Sequence, residues 1–134
     1  MSTYDDIVAK RSLSPVARTD GTANGVAVDR LVSGGTGDAV LLVSTGTITD
    51  GSHAITVQES ADGSTGWANV AAANIQGSLP TVVAANDDTM FEVGVRPTLR
   101  YVRAVATSTG STTGGVFACS FILGGPRTKP ISHS

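Results

Sequence analysis

The sequence has very few residues of the types that build catalytic, metal-binding or disulfide-linked sites. Its 134 residues include one cysteine and two histidines. The single Cys119 excludes an internal disulfide framework and fits a protein assembled in a reducing cytosol. With His53 and His133 as its two histidines, the chain has too few for us to expect a histidine metal site or a Ser-His-Asp triad. We therefore expect no enzyme, no catalytic residue, no metal and no cofactor.

A surplus of charge of either sign is also lacking. Nine basic residues face eleven acidic ones, the formal net charge is -2, and charged residues make up 15% of the chain. A chain with this balance lacks the excess of positive charge that nucleic-acid binding normally needs. Apolar runs such as residues 39–43 are far too short to cross a bilayer, and the chain opens acidic, with Asp5 and Asp6. The sequence therefore predicts no nucleic-acid partner, no membrane partner and no export signal.

Small and β-branched residues dominate what is present. Hydrophobic residues make up 40%, aromatic residues 4%, and there are 16 glycines. This mixture favours strands and turns over helices. From residue 26 onward, short β-rich runs recur about every ten residues, which is typical of a sandwich or barrel. We predict an all-β antiparallel sandwich domain over residues 26–125, with about eight strands at 26–33, 39–45, 54–60, 67–71, 79–84, 90–95, 99–107 and 115–123.

Residues 1–25 differ in composition from the rest, because charged residues are frequent there and large apolar ones are few. We predict that they form an extended N-terminal arm. Ser and Thr at its start precede two Asp residues at capping-box spacing, which predicts one or two helical turns ending before Pro15. One face of that helix would carry Tyr4, Ile7, Val8 and Arg11. So short a helix needs support, either from its own sandwich or from a neighbouring subunit.

Aromatic residues at inward positions of the predicted strands should anchor the core. Alternation turns Phe91 inward and places Phe117 and Phe121 on one face with Cys119. Asp-Gly-Ser/Thr triplets at 20–22, 50–52 and 62–64 predict turns in which the glycine has a positive φ. The third turn precedes Trp67. We expect this turn to place the Trp67 side chain in the core.

Two segments, residues 40–43 and 116–123, are apolar at consecutive positions and so on both faces of a strand. An isolated two-layer sandwich does not require this, because one face of each sheet meets water. Either a subunit contact covers their outer face, or these strands lie centrally under loops.

The most distinctive charged feature is a basic cluster at residues 96–103. Alternation places Tyr101 and Arg103 on one strand face and Arg100 on the other. These arginines have two possible uses, which the sequence leaves open. One is pairing with acids of the same chain, such as Glu59, Glu92 or Asp29; the other is charged hydrogen bonding to a partner subunit.

Three features in this order resemble a family of small structural proteins of tailed bacteriophages. They are the hairpin at 57–70 with Gln58, Asp62 and Trp67, the Arg-Tyr-Val-Arg strand at 100–103, and the Gly-Gly-Pro-Arg exit at 124–127. The family is similar to head decoration or cement proteins, which are jelly-roll-like β-sandwiches on the outside of an icosahedral shell. The resemblance implies binding to the major capsid protein, bridging of capsomers and assembly with itself as a homodimer or homotrimer. It also implies a place on the outer capsid surface of the virion after assembly in the host cytoplasm, and it transfers no catalytic residue.

The two ends of the chain are suited to such contacts. The C-terminal tail, residues 126–134, contains two prolines that keep it out of a helix, and either end can add a strand to a neighbour's edge. We expect deletion of residues 1–20 to leave the sandwich folded but to weaken shell attachment. The residues expected at partner contacts are Tyr4, Ile7, Val8, Arg11, Arg18, Arg100, Tyr101, Arg103, Arg127 and Ile131.

A competing interpretation is a phage tail or adhesion module that binds carbohydrate or another tail protein, because β-sandwiches with polar loops also serve there. Sugar sites present exposed aromatic platforms. With one Trp and two Tyr, the sequence favours the capsid interpretation.

Overall fold

Two antiparallel sheets pack face to face in the computed structural model, which describes residues 3–31 and 38–124. The all-β sandwich prediction is thereby confirmed. In chain order the strands are β1 (Ile7–Arg18), β2 (Gly21–Asn24), β3 (Val28–Asp29), β4 (Ala39–Ile48), β5 (Ser52–Ser60), β6 (Ala68–Asn69), β7 (Ile75–Gln76), β8 (Thr81–Val82), β9 (Met90–Val95), β10 (Tyr101–Thr109) and β11 (Gly115–Gly124).

Sheet A has the strand order β1-β11-β4-β9-β7. Sheet B has the order β2-β10-β5-β6, with β3 also paired to β10 and β8 to β5. A four-residue helix, α1 (Thr3–Asp6), precedes β1, and 3-10 turns lie at Ala72–Asn74 and Ala84–Asn86. Within the described ranges, no helix is long and apolar enough to span a membrane.

The core lies between the sheets, and alternation of buried and less buried residues along the strands builds it, most regularly in β11. In β11, every second residue from Gly115 to Leu123 is buried and the residues between them are half-buried. Phe117 and Phe121 are fully buried, while Phe91 is half-buried at the margin of the core. Sheet B supplies the opposite wall, where the fully buried side chains include Ile55, Val57, Val82 and Val102.

Residues 7–24 are part of the sandwich, which corrects the prediction of an arm. β1 pairs with β11 along the edge of sheet A, and β2 pairs with β10 in sheet B. The helical prediction holds for a single turn, α1, after which Ile7 and Val8 point to opposite faces of a strand. Val8 and Leu13 are 4% and 3% exposed, so Val8 is a core residue rather than a partner contact. The segment forms a strand paired with β11 because a short isolated helix is only marginally stable.

Ser12 ties the edge of sheet A to sheet B. The register of β1 shifts between Arg11 and Leu13, and both Ser12 and Leu13 are buried at this irregularity. The Ser12 hydroxyl donates to the carbonyl of Val26 at 2.9 Å and accepts the N–H of Ala104 at 3.0 Å. A β-bulge of this kind turns an extra side chain inward, and here that side chain satisfies two backbone groups.

Two carboxylates tie together the turns that carry the chain between the sheets at one end of the sandwich. Asp50 accepts N–H bonds from Thr112, Thr113 and Gly114, and Asp20 accepts the N–H and hydroxyl of Ser111. These bonds lower the pKa of both carboxyl groups, foremost through Gly114 for Asp50 and Ser111 for Asp20. The glycines of the three Asp-Gly triplets have φ values of 127°, 86° and 78°, which confirms the predicted turns.

Candidate interaction surfaces

The outer face of sheet A is mainly apolar and is not covered by any other described element. By register, the residues Ile122 and Val40 stand side by side on this face, and Ser120 stands beside Leu42. All four are half-buried, as expected for side chains on an open sheet surface. The outer face of sheet A consists of Ile7, Ala9, Arg11, Val40, Leu42, Ser44, Gln76, Met90, Glu92, Gly94, Val116, Ala118, Ser120, Ile122 and Gly124.

One end of this face is a shallow depression lined by Ile7, Val40, Gln76 and Ile122, with Gly94 and Gly124 in its floor. A side chain at Gly94 would collide with Gln76, since a Cβ there would lie 2.7 Å from the amide oxygen and 2.9 Å from the Cβ of that residue. Glycine at position 94 therefore leaves the room that the Gln76 side chain occupies at this end of the face.

A second surface lies on the outer side of sheet B and combines arginine with aromatic rings. The guanidinium of Arg103 lies 4.3 Å from the centre of the Trp67 ring, and that of Arg100 lies 5.0 Å from the centre of the Tyr101 ring. We call the residues Trp67, Arg100, Tyr101 and Arg103 the Arg–aromatic cluster. Trp67, Tyr101 and Arg103 are half-buried, and Arg100 is exposed. The prediction that Trp67 enters the core is wrong, because the turn before it lies over the outer side of the sheet.

Hydrogen bonds hold both arginines of the cluster in place. Arg100 donates from Nε and Nη2 to the two carboxylate oxygens of Asp29, at 2.8 and 2.7 Å. This pairing raises the pKa of Arg100, the hydrogen bonds to Asp29 being the main cause. Arg103 donates twice to the side-chain oxygen of Gln58, at 3.0 and 2.7 Å. Arg100 precedes the first residue of β10, so it stacks beside Tyr101 instead of taking the opposite strand face as predicted.

The turn after β5 builds one side of the cluster. The Asp62 carboxylate accepts the N–H of Ser64 and both the N–H and hydroxyl of Thr65, and the Thr65 N–H is the main reason that the pKa of Asp62 lies far below its usual range. Gly63 has a φ of 78° and lies against Tyr101, where a Cβ would come 2.9 Å from the ring. The turn therefore packs against Tyr101 and leads directly into Trp67.

The thiol of Cys119 and the side chains of His53 and Ser108 are buried. Cys119 is fully buried, and burial raises the pKa of its thiol to about 12. His53 Nδ1 lies 2.7 Å from the Ser108 hydroxyl, and His53 Nε2 lies 3.1 Å from the Asp50 carbonyl oxygen. Both side chains of this serine–histidine pair are buried, and the hydrogen-bond partners of the imidazole are a hydroxyl and a backbone carbonyl. Residues 3–31 and 38–124 hold no group of three His, Cys, Asp or Glu residues placed to bind a metal.

The predicted contact residues divide between different places. Ile7 and Arg11 lie on the outer face of sheet A, and Tyr4 is 68% exposed in α1. Arg18 lies at the sandwich edge, where its guanidinium donates to the Ser14 carbonyl at 2.8 Å and stands 5.7 Å from the centre of the Phe117 ring. Arg127 and Ile131 lie outside the described residues. Met90 is 58% exposed on the apolar face but was not predicted as a contact residue. Its position two residues before Glu92 on a period-2 strand indicates that it lies on the same face as Glu92.

The fold and surfaces define a small β-sandwich module that presents one apolar sheet face and one arginine-aromatic surface. No protein-family model matches the chain, and no curated protein matches it either. Among solved structures, the crystal structure of PBSX exported protein XepA matches with a TM-score of 0.65 and 15% identity, over 96% of this chain and 40% of that one. This chain therefore spans less than half of XepA, and the likeness shows the sandwich fold alone.

Two further solved structures match more weakly. A disulfide-linked pilus protein of Bacillus endospore appendages has a TM-score of 0.44 and 16% identity, covering 90% of this chain and 89% of that one. The N-terminal cellulose-binding domain of Cellulomonas fimi β-1,4-glucanase C has a TM-score of 0.40 and 13% identity, covering 98% and 93%. Neither likeness is close enough to carry an argument about function.

Proposed function

We propose that this protein is a structural component of a tailed-bacteriophage head, a decoration protein that binds the outside of the major capsid shell, bridges capsomers and stabilises the head. The observation that carries the proposal is that the apolar outer face of sheet A and the Arg–aromatic cluster lie on opposite sheets of one sandwich, which gives two candidate contact surfaces. A bridging protein needs at least two such surfaces, and a shell that repeats its site many times makes weak individual contacts sufficient.

Two other observations support this function over an enzymatic one. The resemblance of residues 26–130 to head decoration proteins rests on the hairpin, the Arg-Tyr-Val-Arg strand and the Gly-Gly-Pro-Arg exit, and the first two contribute to the Arg–aromatic cluster. The nucleophilic Cys119 and the Ser108–His53 pair are buried, so the described chain offers contact surfaces rather than accessible reactive groups.

The Arg–aromatic cluster is the surface that we assign to the shell. Trp, Tyr and Arg are the residue types that most often carry the binding energy of protein interfaces. Here their side chains are already held by Gln58, Asp29 and the Asp62 turn. A preorganised surface loses little side-chain entropy on binding. The outer face of sheet A is left for assembly with further copies of the chain.

The test uses purified heads that lack this protein, built from the major capsid protein that we expect the neighbouring reading frames to encode. Wild-type protein should bind these heads and raise their thermal stability. Trp67→Ala and Tyr101→Ala should each weaken occupancy, measured by gel densitometry, by at least about tenfold. Thr107→Ala is the matched control, since Thr107 is exposed on the outer side of β10 but outside the cluster. Full occupancy by both aromatic variants, or no binding by the wild type, would refute the proposal.

The position of Trp67 also favours a second candidate, a tail or adhesion module that binds carbohydrate. Trp67 and Tyr101 are both partly accessible at the same end of sheet B, whereas the composition had suggested too few aromatic platforms. A glycan array separates the candidates: binding to a defined sugar that Trp67→Ala abolishes, without binding to heads, would support the second.

A further inference from the structure

The outer face of sheet A carries one charged residue at each end of a single cross-strand row. The registers of three neighbouring strand pairs place Arg11 beside Ser120, Ser120 beside Leu42, and Leu42 beside Glu92. Residues at matching positions of an antiparallel sheet point to the same side. The row therefore runs from a positive end on β1, across two central strands, to a negative end on β9.

The two charges cannot neutralise each other within one molecule. Neighbouring strands lie about 4.8 Å apart, so three strand steps separate Arg11 from Glu92 by roughly 14 Å. Both side chains are exposed. Neither the Arg96–Asp38 nor the Arg100–Asp29 ion pair includes Arg11 or Glu92.

We propose that this face binds the same face of a second copy, related by a twofold axis that runs parallel to the strands midway between β4 and β11. That rotation exchanges the two ends of the row. Arg11 of one copy then lies opposite Glu92 of the other, and the same pair forms again on the far side of the axis. A twofold axis perpendicular to the strands would instead bring Arg11 against Arg11, so the charges select one arrangement.

The remaining side chains fit the same operation. The row beside the charged one contains Ala9, Ile122, Val40 and Gly94 in strand order, and Gln76 of β7 follows Gly94 with its side chain close against it. Rotation about the axis places Val40 opposite Ile122 in the centre, and Ala9 opposite Gly94 towards the rim. Large apolar residues thus meet at the middle of this row, and the opposite charges of the neighbouring row lie at the same distance from the axis as Ala9 and Gly94. This is the usual plan of an isologous interface, which must be complementary to itself.

The size of the face indicates a weak dimer. Five strands about 4.8 Å apart give it a width of roughly 20 Å, which places it at the low end of specific interfaces. The proposed function includes self-assembly, and this interface is the surface through which the copies would bind each other. The inference rests on the proposed function in that respect. On a shell, such a dimer would present two Arg–aromatic clusters on its outer sides and so could engage two capsomers.

Sedimentation equilibrium of the full-length protein, from micromolar to millimolar concentration, tests the interface without any capsid present. We expect a monomer–dimer equilibrium. Arg11→Glu and Glu92→Arg should each raise the dissociation constant by at least about tenfold, because like charges then face each other. The double variant R11E/E92R should restore the dimer. Thr107→Glu, an exposed charge-introducing change on the opposite sheet, is the control and should leave the equilibrium unchanged.

Three outcomes would overturn the interface: a protein that remains monomeric throughout, a trimer, or a double variant that dimerises no better than the single ones. The two proposals fail in distinguishable ways, since dimerisation is measured on free protein with sheet A variants and shell binding on heads with sheet B variants. A protein that dimerises but does not bind heads would support the interface and refute the decoration role.

Discussion

Deletion of residues 1–20 should unfold the sandwich, the reverse of what the arm interpretation implied. The deletion removes the buried side chains of Val8 and Leu13, each of which contributes about 1.5–3 kcal/mol by burial. It also removes the Ser12 hydroxyl and leaves the Val26 carbonyl and the Ala104 N–H without their partner, at about 1–3 kcal/mol. The loss of roughly 4–9 kcal/mol compares with a typical total stability of about 5–15 kcal/mol.

The assay is urea unfolding followed by far-ultraviolet circular dichroism, on the full chain and on the deletion. Deleting only residues 1–4 is the control, because Tyr4 is 68% exposed and these residues precede β1; we expect it to cost less than about 1 kcal/mol. If the longer deletion yields no soluble protein, Leu13→Ala gives a measurable value, expected at about 2–5 kcal/mol. A longer deletion that unfolds cooperatively within about 1 kcal/mol of the full chain would refute the reasoning.

The aromatic residues should differ in their cost of removal: Phe117→Ala should lower the free energy of unfolding by about 3–5 kcal/mol and half-buried Trp67→Ala by less than about 2 kcal/mol. Equal losses in urea titrations would contradict their different placement. Gly25→Ala should cost about 1–3 kcal/mol, since the new Cβ would stand 2.6 Å from a backbone carbonyl oxygen of β10; an unchanged melting temperature would argue against this close approach. Backbone N–H bonds, foremost that of Gly114, hold the pKa of Asp50 below its unfolded value, so its stabilisation is present above about pH 4 and is lost as the pH falls through the lower pKa of the folded state. Asp50→Asn should flatten the acid dependence of the unfolding free energy, and an unaltered slope would count against the role of Asp50.

Local chemistry made much of the fold predictable. The Asp-Gly triplets at 20–22, 50–52 and 62–64 indicated turns because such a turn depends only on neighbouring residues. The Asp carboxylate hydrogen-bonds nearby backbone, and the glycine adopts a positive φ. The long strands β4, β9, β10 and β11 were visible as period-2 or continuous apolar runs. The apolar outer face of sheet A was also signalled by residues 40–43 and 116–123, since a strand that is apolar at consecutive positions must place some of those side chains outward.

The sequence by itself determined the class of fold, the main strands and the surplus of apolar surface, because each depends on residues close together in the chain. Only the tertiary structure decided that β1 belongs to the sandwich, that Trp67 lies under Arg103 outside the core, and that Arg11 and Glu92 share a row. These depend on register between strands far apart in sequence. A shift of one residue in that register reverses which face a side chain takes, and no local pattern specifies it.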